Sequence, residues 1–232
     1  MNKMKNLALA LLLAMPMVAT AAGMGVYVPF SVGDSSTVSD SPDYGVDRDY
    51  DIDYSPSVGL GLAFDSNIGK DKLFNYRLGL EFSKKEVDTI NGYSCTGSYC
   101  DFGTNINIVN TFGFGVLRTE TVRLWVGPRI NVGWTFDSYS NNGSRAEFEL
   151  GIAPAVGVNV NLGRVVSLAA DIDYKFSTGF GAYDSDALYD GGSYTYRKTG
   201  ATVRFYVLFR FGETFQPKST QTPDQGVVDQ SL

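Results

Sequence analysis

The sequence predicts an all-β chain closed into an eight-stranded antiparallel up-and-down transmembrane β-barrel. Three observations lead there. Eight stretches alternate apolar and polar residues with period two, the spacing at which a strand's side chains share a face. Along the apolar side of all eight there is no charged residue, while the other side collects Gly, Ala and charges of both signs. The connections alternate between long and short, and both ends of the barrel fall on the short-turn side. A soluble sandwich hides its Phe and Val and wets its charges. Here the face rich in Phe, Leu and Val suits lipid, and the polar face suits a crowded interior.

The chain opens with basic Met1–Lys5, an apolar run from Leu7 to Val18 and the small residues Ala19-Thr-Ala-Ala22. That is the three-part plan of a cleaved secretory signal peptide over residues 1–22. The apolar run falls short of the ~20 residues a spanning helix needs. The remaining chain of about 210 residues suits one domain, read as a barrel over 23–212 and a polar tail over 213–232. A net charge of −6 and the lack of a basic stripe exclude nucleic acid as a partner.

The first strand is short, Gly25 to Phe30, with Val26, Val28 and Phe30 outward. The second begins early: Asp49, Asp51 and Asp53 alternate with Tyr50, Ile52 and Tyr54, and the same parity runs on into Val58, Leu60, Leu62 and Phe64. After the turn Asp65–Asp71, the third sets Phe74, Tyr76, Leu78, Leu80 and Phe82 against Arg77, Gly79 and Glu81. The fourth turns Ile106, Ile108, Phe112, Phe114 and Val116 outward, with Asn110 as a polar intruder. Following Arg118–Thr121, the fifth shows Leu124, Val126, Ile130, Val132 and Trp134 outward. The sixth shows Phe148 to Val160, the seventh Val166 to Phe176, and the eighth Val203, Phe205, Val207, Phe209 and Phe211. Pro128 and Pro154 each remove a ladder donor inside a strand, so bulges are expected beside them.

The chain resembles the small eight-stranded outer-membrane proteins of Gram-negative bacteria, the opacity-protein and OmpX-like group. Gly127-Pro-Arg-Ile-Asn-Val-Gly133, Gly151-Ile-Ala-Pro-Ala-Val-Gly157 and the last strand carry the resemblance. Lys198, Gly200, Val203, Phe205 and the run to Phe211 are similar to the insertion signal read by the barrel-assembly machinery. The resemblance implies outer-membrane lipid and lipopolysaccharide as surroundings, that machinery as a partner in biogenesis, and a structural or adhesive role toward host or matrix surfaces. The tail after Gly212 departs from members that end at the terminal aromatic. It is read as disordered and periplasmic.

Inward parity collects Arg77, Arg123, Arg129, Lys175, Arg204 and Arg210 as cations, with Glu81, Glu147, Glu149, Asp171 and Asp173 as anions. So near a balance predicts a paired network, because isolated charges in a narrow space are costly. Eight strands leave an interior that side chains just fill, so a plugged lumen is expected and a small-solute or ion channel is the alternative. The chain has no histidine, which removes the general base that Ser–His or Asp–His chemistry needs. No enzyme, cofactor or metal site is expected. Cys95 and Cys100, close together in an exported polar segment, read as a disulfide pinning a loop tip. External segments hold the candidate binding residues. The first carries Asp34, Asp40, Asp43, Tyr44 and Asp47, and the fourth Tyr183, Asp184, Asp186, Tyr189, Asp190, Tyr194 and Tyr196. Tyrosine offers amphipathic contact area at modest entropic cost.

Overall fold

The computed structural model describes residues 23–42, 48–66, 72–96, 100–138, 144–163, 165–184 and 191–211. The signal-peptide and tail segments lie outside them. The strands are β1 (Gly23–Pro42), β2 (Arg48–Tyr54), β3 (Ser57–Asp65), β4 (Phe74–Ile90), β5 (Tyr93–Ser94), β6 (Asp101–Arg118), β7 (Val122–Ser138), β8 (Ser144–Leu162), β9 (Val166–Asp184) and β10 (Gly192–Arg210). Every pairing is antiparallel. β1 pairs with β10 from Gly23↔Arg210 to Pro42↔Gly192, which closes the sheet on itself. β2 and β3 lie end to end between β1 and β4, and β5 only folds back on β4. The wall therefore has eight staves.

The barrel is inside-out. Phe205 and Leu60 are each 60% exposed, while Arg129 and Asp65 are 0% exposed. The outward intruder Asn110 is satisfied from the next strand, since the Tyr76 hydroxyl donates to its Oδ1. At the short end, Thr119 closes its turn on Val122: its N–H and its Oγ1 each donate to the Val122 carbonyl at 2.9 Å, and its Oγ1 accepts from the Val122 N–H at 2.8 Å. At the other end Asn91 and Gly92, with φ of 51° and 78°, form a two-residue hairpin that joins β4 to β5.

The staves are longer than the sequence reading had them. β1 has 20 residues, and β8, β9 and β10 have 19 each, against the ~9–11 a tilted strand needs to cross a bilayer. The extra length is at the long-loop end. There Thr37, Asp49, Asp51, Asp53, Lys84, Glu86, Asp88 and Arg197 face outward on β1, β2, β4 and β10. On β7, β8 and β9 the outward residues at comparable distance from the short turns are Trp134, Phe136, Phe148 and Phe180, and neighbouring rings touch.

Two expectations are corrected. The parity of β2 does not run into β3. Ile52 and Tyr54 point inward and Asp51 and Asp53 outward, yet Val58 and Leu60 point outward. Ser55-Pro56 switches the face between them. Nor do bulges flank the prolines. Pro128 and Pro154 are direct partners in an unbroken β7–β8 register, and the ladder skips Pro128 toward β6 and Pro154 toward β9 instead. Their absent donors thus face away from each other, at a pair position that needs none.

Candidate functional site

With lipid outside, the lumen holds the polar chemistry, and cross-strand glycines set its packing. Tyr27 lies over Gly61, Trp125 over Gly157, Tyr196 over Gly179 and Tyr194 over Gly181, each pair in direct register. A Cβ on Gly157 would sit 2.5 Å from Trp125, and one on Gly181 would collide with the Tyr194 ring. These glycines make room for rings in a bore that eight strands leave narrow.

The lower lumen is an ionic floor. Asp65 accepts from Arg77 at 3.2 Å and from Arg210 at 3.0 Å. Arg210 also donates to Ser167 Oγ, and Arg123 to the Leu73 carbonyl. Arg129 is the hub: its Nε donates to Thr111 Oγ1 at 2.8 Å, its Nη2 lies 2.9 Å from Asp171, and its Nη1 pairs with Asp173. Arg204 joins Asp173 to Glu81. The Arg77 guanidinium lies 4.3 Å from the Tyr206 ring, which stacks on Tyr27. Trp125 donates to Asn159 Oδ1 at 3.2 Å.

Above the floor, Glu149 pairs with Lys175 and lies 3.8 Å from Lys85, while Lys198 pairs with Asp34 at 2.8 Å. Higher still the chemistry changes. Val38, Ile52, Tyr54, Val87, Tyr194 and Tyr196 form an apolar and aromatic cap, with the joined Cys95 and Cys100 packed on it. Val87 N–H donates to the Cys100 carbonyl and Cys95 N–H to the Asp88 carbonyl, which ties the disulfide loop to β4. The Tyr194 hydroxyl donates to Glu147. Beside the cap, burial first and Asp40 second push the Tyr50 phenol up.

All eleven charges assigned to the interior by parity line the lumen, with Lys175 the most accessible. Parity reasoning missed Asp34, Asp65, Lys85 and Lys198, which are also inside. Tyr194 and Tyr196, expected in an external loop, are 6% and 5% exposed within the lumen instead, because β10 continues upward past Gly200. Asp34 is likewise inside. A bulge between Val32 and Ser35, with Gly33 at φ 63°, turns it inward. Tyr183 is half-buried at the mouth, its hydroxyl 3.5 Å from Asp40. Asp184 ends β9. Tyr44, Asp47, Asp186, Tyr189 and Asp190 lie outside the described residues. Gly200 faces the lumen, where a Cβ would meet Asp34, and Val203, Phe205 and Phe211 face outward.

No family model matches the chain, and no curated protein does. Among solved structures it is similar to the outer membrane protein OprG from Pseudomonas aeruginosa, at 13% identity and a TM-score of 0.53 over 82% of this chain and 97% of that one. Neisserial surface protein A is 14% identical over 77% of this chain and 95% of its own, with a TM-score of 0.34. A major outer membrane protein from Thermus thermophilus is 16% identical over 77% and 99%, with a TM-score of 0.42. The last two are too loosely superposed to add to the first. Closed ring, inside-out burial and the first likeness together show the fold of a small eight-stranded outer-membrane β-barrel.

Proposed function

We propose that this protein is exported by its signal peptide, folds into the outer membrane, and acts there through its external face, as a structural or surface-interaction protein with a closed lumen. The observation that carries this is two successive layers of packed side chains across the bore. An ionic floor knotted at Arg129 and a tyrosine cap tied by a disulfide lie in series. Side chains just fill an eight-stranded bore, and two paired layers in it support a closed lumen. Binding chemistry then falls to the protruding outer wall, with Asp49, Asp51, Asp53, Glu86 and Asp88 exposed, and to the connections bearing Tyr44, Asp47, Asp186, Tyr189 and Asp190. Lipopolysaccharide and host or matrix surfaces are the partners these groups would meet.

Conductance of the refolded protein in a planar bilayer tests the closure. Silence is expected, and steady ion-selective openings would make the protein a channel. Binding to cells or matrix that is lost when residues 43–47 and 185–190 are replaced by Gly-Ser linkers supports the surface role. Binding unchanged by that replacement moves the contact elsewhere.

A further inference from the structure

The outward apolar face is not equally tall around the ring. Upward from the short-turn end, it runs from Phe64 to Val58 on β3, from Phe74 to Phe82 on β4 and from Met24 to Val32 on β1. It reaches from Val116 to Ile106 on β6 and from Phe211 to Ala201 along β10. On the other staves it extends from Leu124 to Phe136 on β7, from Leu162 to Phe148 on β8 and from Val166 to Phe180 on β9. A strand tilted by about 40° gains roughly 2.5 Å of height per residue. The apolar wall is therefore about 15–20 Å tall on β3, β4 and β1, about 25 Å on β6 and β10, and about 30–35 Å on β7 to β9. A level membrane asks for the same band, about 25 Å, on every stave.

Two features identify what covers the tall side. The first is the shape of the upper edge. β8 and the β2/β3 stave lie opposite each other in the ring, and the height climbs from one to the other stave by stave on both sides. A partner protein leaves a footprint with an abrupt border. A plane cutting a cylinder obliquely leaves a gradual rise and fall, and a membrane surface is such a plane. The second is chemistry. No charged residue faces outward on β7 up to Phe136, on β8 up to Phe148 or on β9 up to Phe180. Thr178, the one break in the β9 run above Tyr174, donates to the Tyr196 carbonyl at 3.2 Å and so asks nothing of water. Phe136 and Phe180 are 52% and 54% exposed on the barrel alone, and rings left in water at that height would be costly. Across the ring, Thr37, Asp53 and Lys84 face outward instead.

We propose that the barrel leans in the membrane toward β8, so that outer-leaflet lipid covers the β7–β9 face up to Phe136, Phe148 and Phe180. An apolar wall longer than the hydrocarbon layer is met by tilting, and the covered face is continuous with the lipid-facing band below it. The lean lifts the Asp49–Asp53 wall and the β4–β5 hairpin clear of the headgroups. That side is then the one a surface partner meets first.

The test places nitroxide labels on the refolded full chain in dioleoylphosphatidylcholine vesicles. It reads collisions with oxygen, which gathers in lipid, and with a water-soluble nickel chelate. Cys95 and Cys100 are joined and take no label. Phe136→Cys on β7 and Thr37→Cys on β1 stand at similar heights on opposite staves. Position 136 is expected to lose chelate access and gain oxygen relative to position 37. Equal chelate access at the two positions overturns the lean. So does a label at 136 shielded from both reagents with spin–spin broadening, which means that a second copy of the chain covers the face. Should either labelled chain lack the heat-induced gel shift, Phe148→Cys on β8 and Asp53→Cys on β2 carry the same comparison. The proposal rests on the membrane location, which Ile130→Cys in the middle of the band checks separately. Chelate access at 130 would sink membrane insertion itself, whereas access at 136 alone sinks only the lean.

Discussion

The floor and the cap of the lumen fill the same bore with opposite chemistries. The floor is a lattice of guanidinium and carboxylate groups, in which Arg129 alone meets Asp171, Asp173 and Thr111. The cap relies on aromatic and aliphatic contact, with a covalent tie and one charged acceptor, Glu147. The difference predicts how each region fails. A charge lattice loses much when one member is removed, because the partners stay buried without compensation. An apolar cluster loses roughly the area removed plus the cavity left behind.

The largest effect should follow Arg129→Ala, which removes the hub of the lattice and leaves Asp171 and Asp173, both fully buried, to Arg77 and Arg204 alone. A loss of about 3–5 kcal/mol is expected, read as a lower urea midpoint and a lower temperature for the heat-induced gel shift. Glu149→Ala belongs to the same class, since it leaves Lys175 and Lys85 facing each other. Val87→Ala in the cap should cost only about 1.5 kcal/mol, by the methylene groups lost. If Val87→Ala matches Arg129→Ala, the two regions do not differ as argued.

A smaller effect separates the regions spectroscopically. Gly157→Ala places a methyl group against Trp125, and overpacking of that kind costs about 1–3 kcal/mol. It should also break the indole bond to Asn159 and shift tryptophan emission. Gly181→Ala presses Tyr194 instead and should leave tryptophan emission unchanged. Next comes the Cys95→Ser, Cys100→Ser double variant. A loop this short is worth about 2 kcal/mol by chain-entropy arithmetic. Hydrogen exchange should speed at Val87 and its neighbours in the cap and stay slow around Arg129. Uniform acceleration would mean that cap and floor open as one unit.

How much of this was legible in the sequence depends on which constraint wrote it. Wherever lipid faces one side of a strand, hydropathy alternates and parity assigns every side chain, which is why all eleven interior charges could be named. Lys85, Lys198 and Asp65 were equally assignable. They continue the parity of Glu81, Arg204 and Ala63, beyond the point where the outward apolar pattern stops. Beyond the membrane both faces of a strand are polar and the alternation fades, so Tyr194 and Tyr196 read as loop. Asp34 and the β2 tyrosines were hidden for another reason. Face switches at Gly33-Asp34 and Ser55-Pro56 reverse parity, and the residue types around them do not announce the direction. The Asn91-Gly92 hairpin did carry a signal, since Asn-Gly is the strongest short-range mark of a tight turn.

The smallest predicted effect concerns the outer wall, where the two sides of the barrel differ as floor and cap do inside. Asp51 is exposed on β2 and accepts from Thr37 at 2.9 Å, while Phe148 and Phe180 occupy the opposite side. If the Asp51 wall stands in water, Asp51→Leu should change stability by no more than about 0.5 kcal/mol. If it faces lipid instead, the buried carboxylate is a standing cost, and the same substitution should stabilise the barrel measurably more. Urea unfolding of the pair in lipid vesicles decides between them. A clear gain for Asp51→Leu would place this wall in the bilayer and take β2 away from the binding surface.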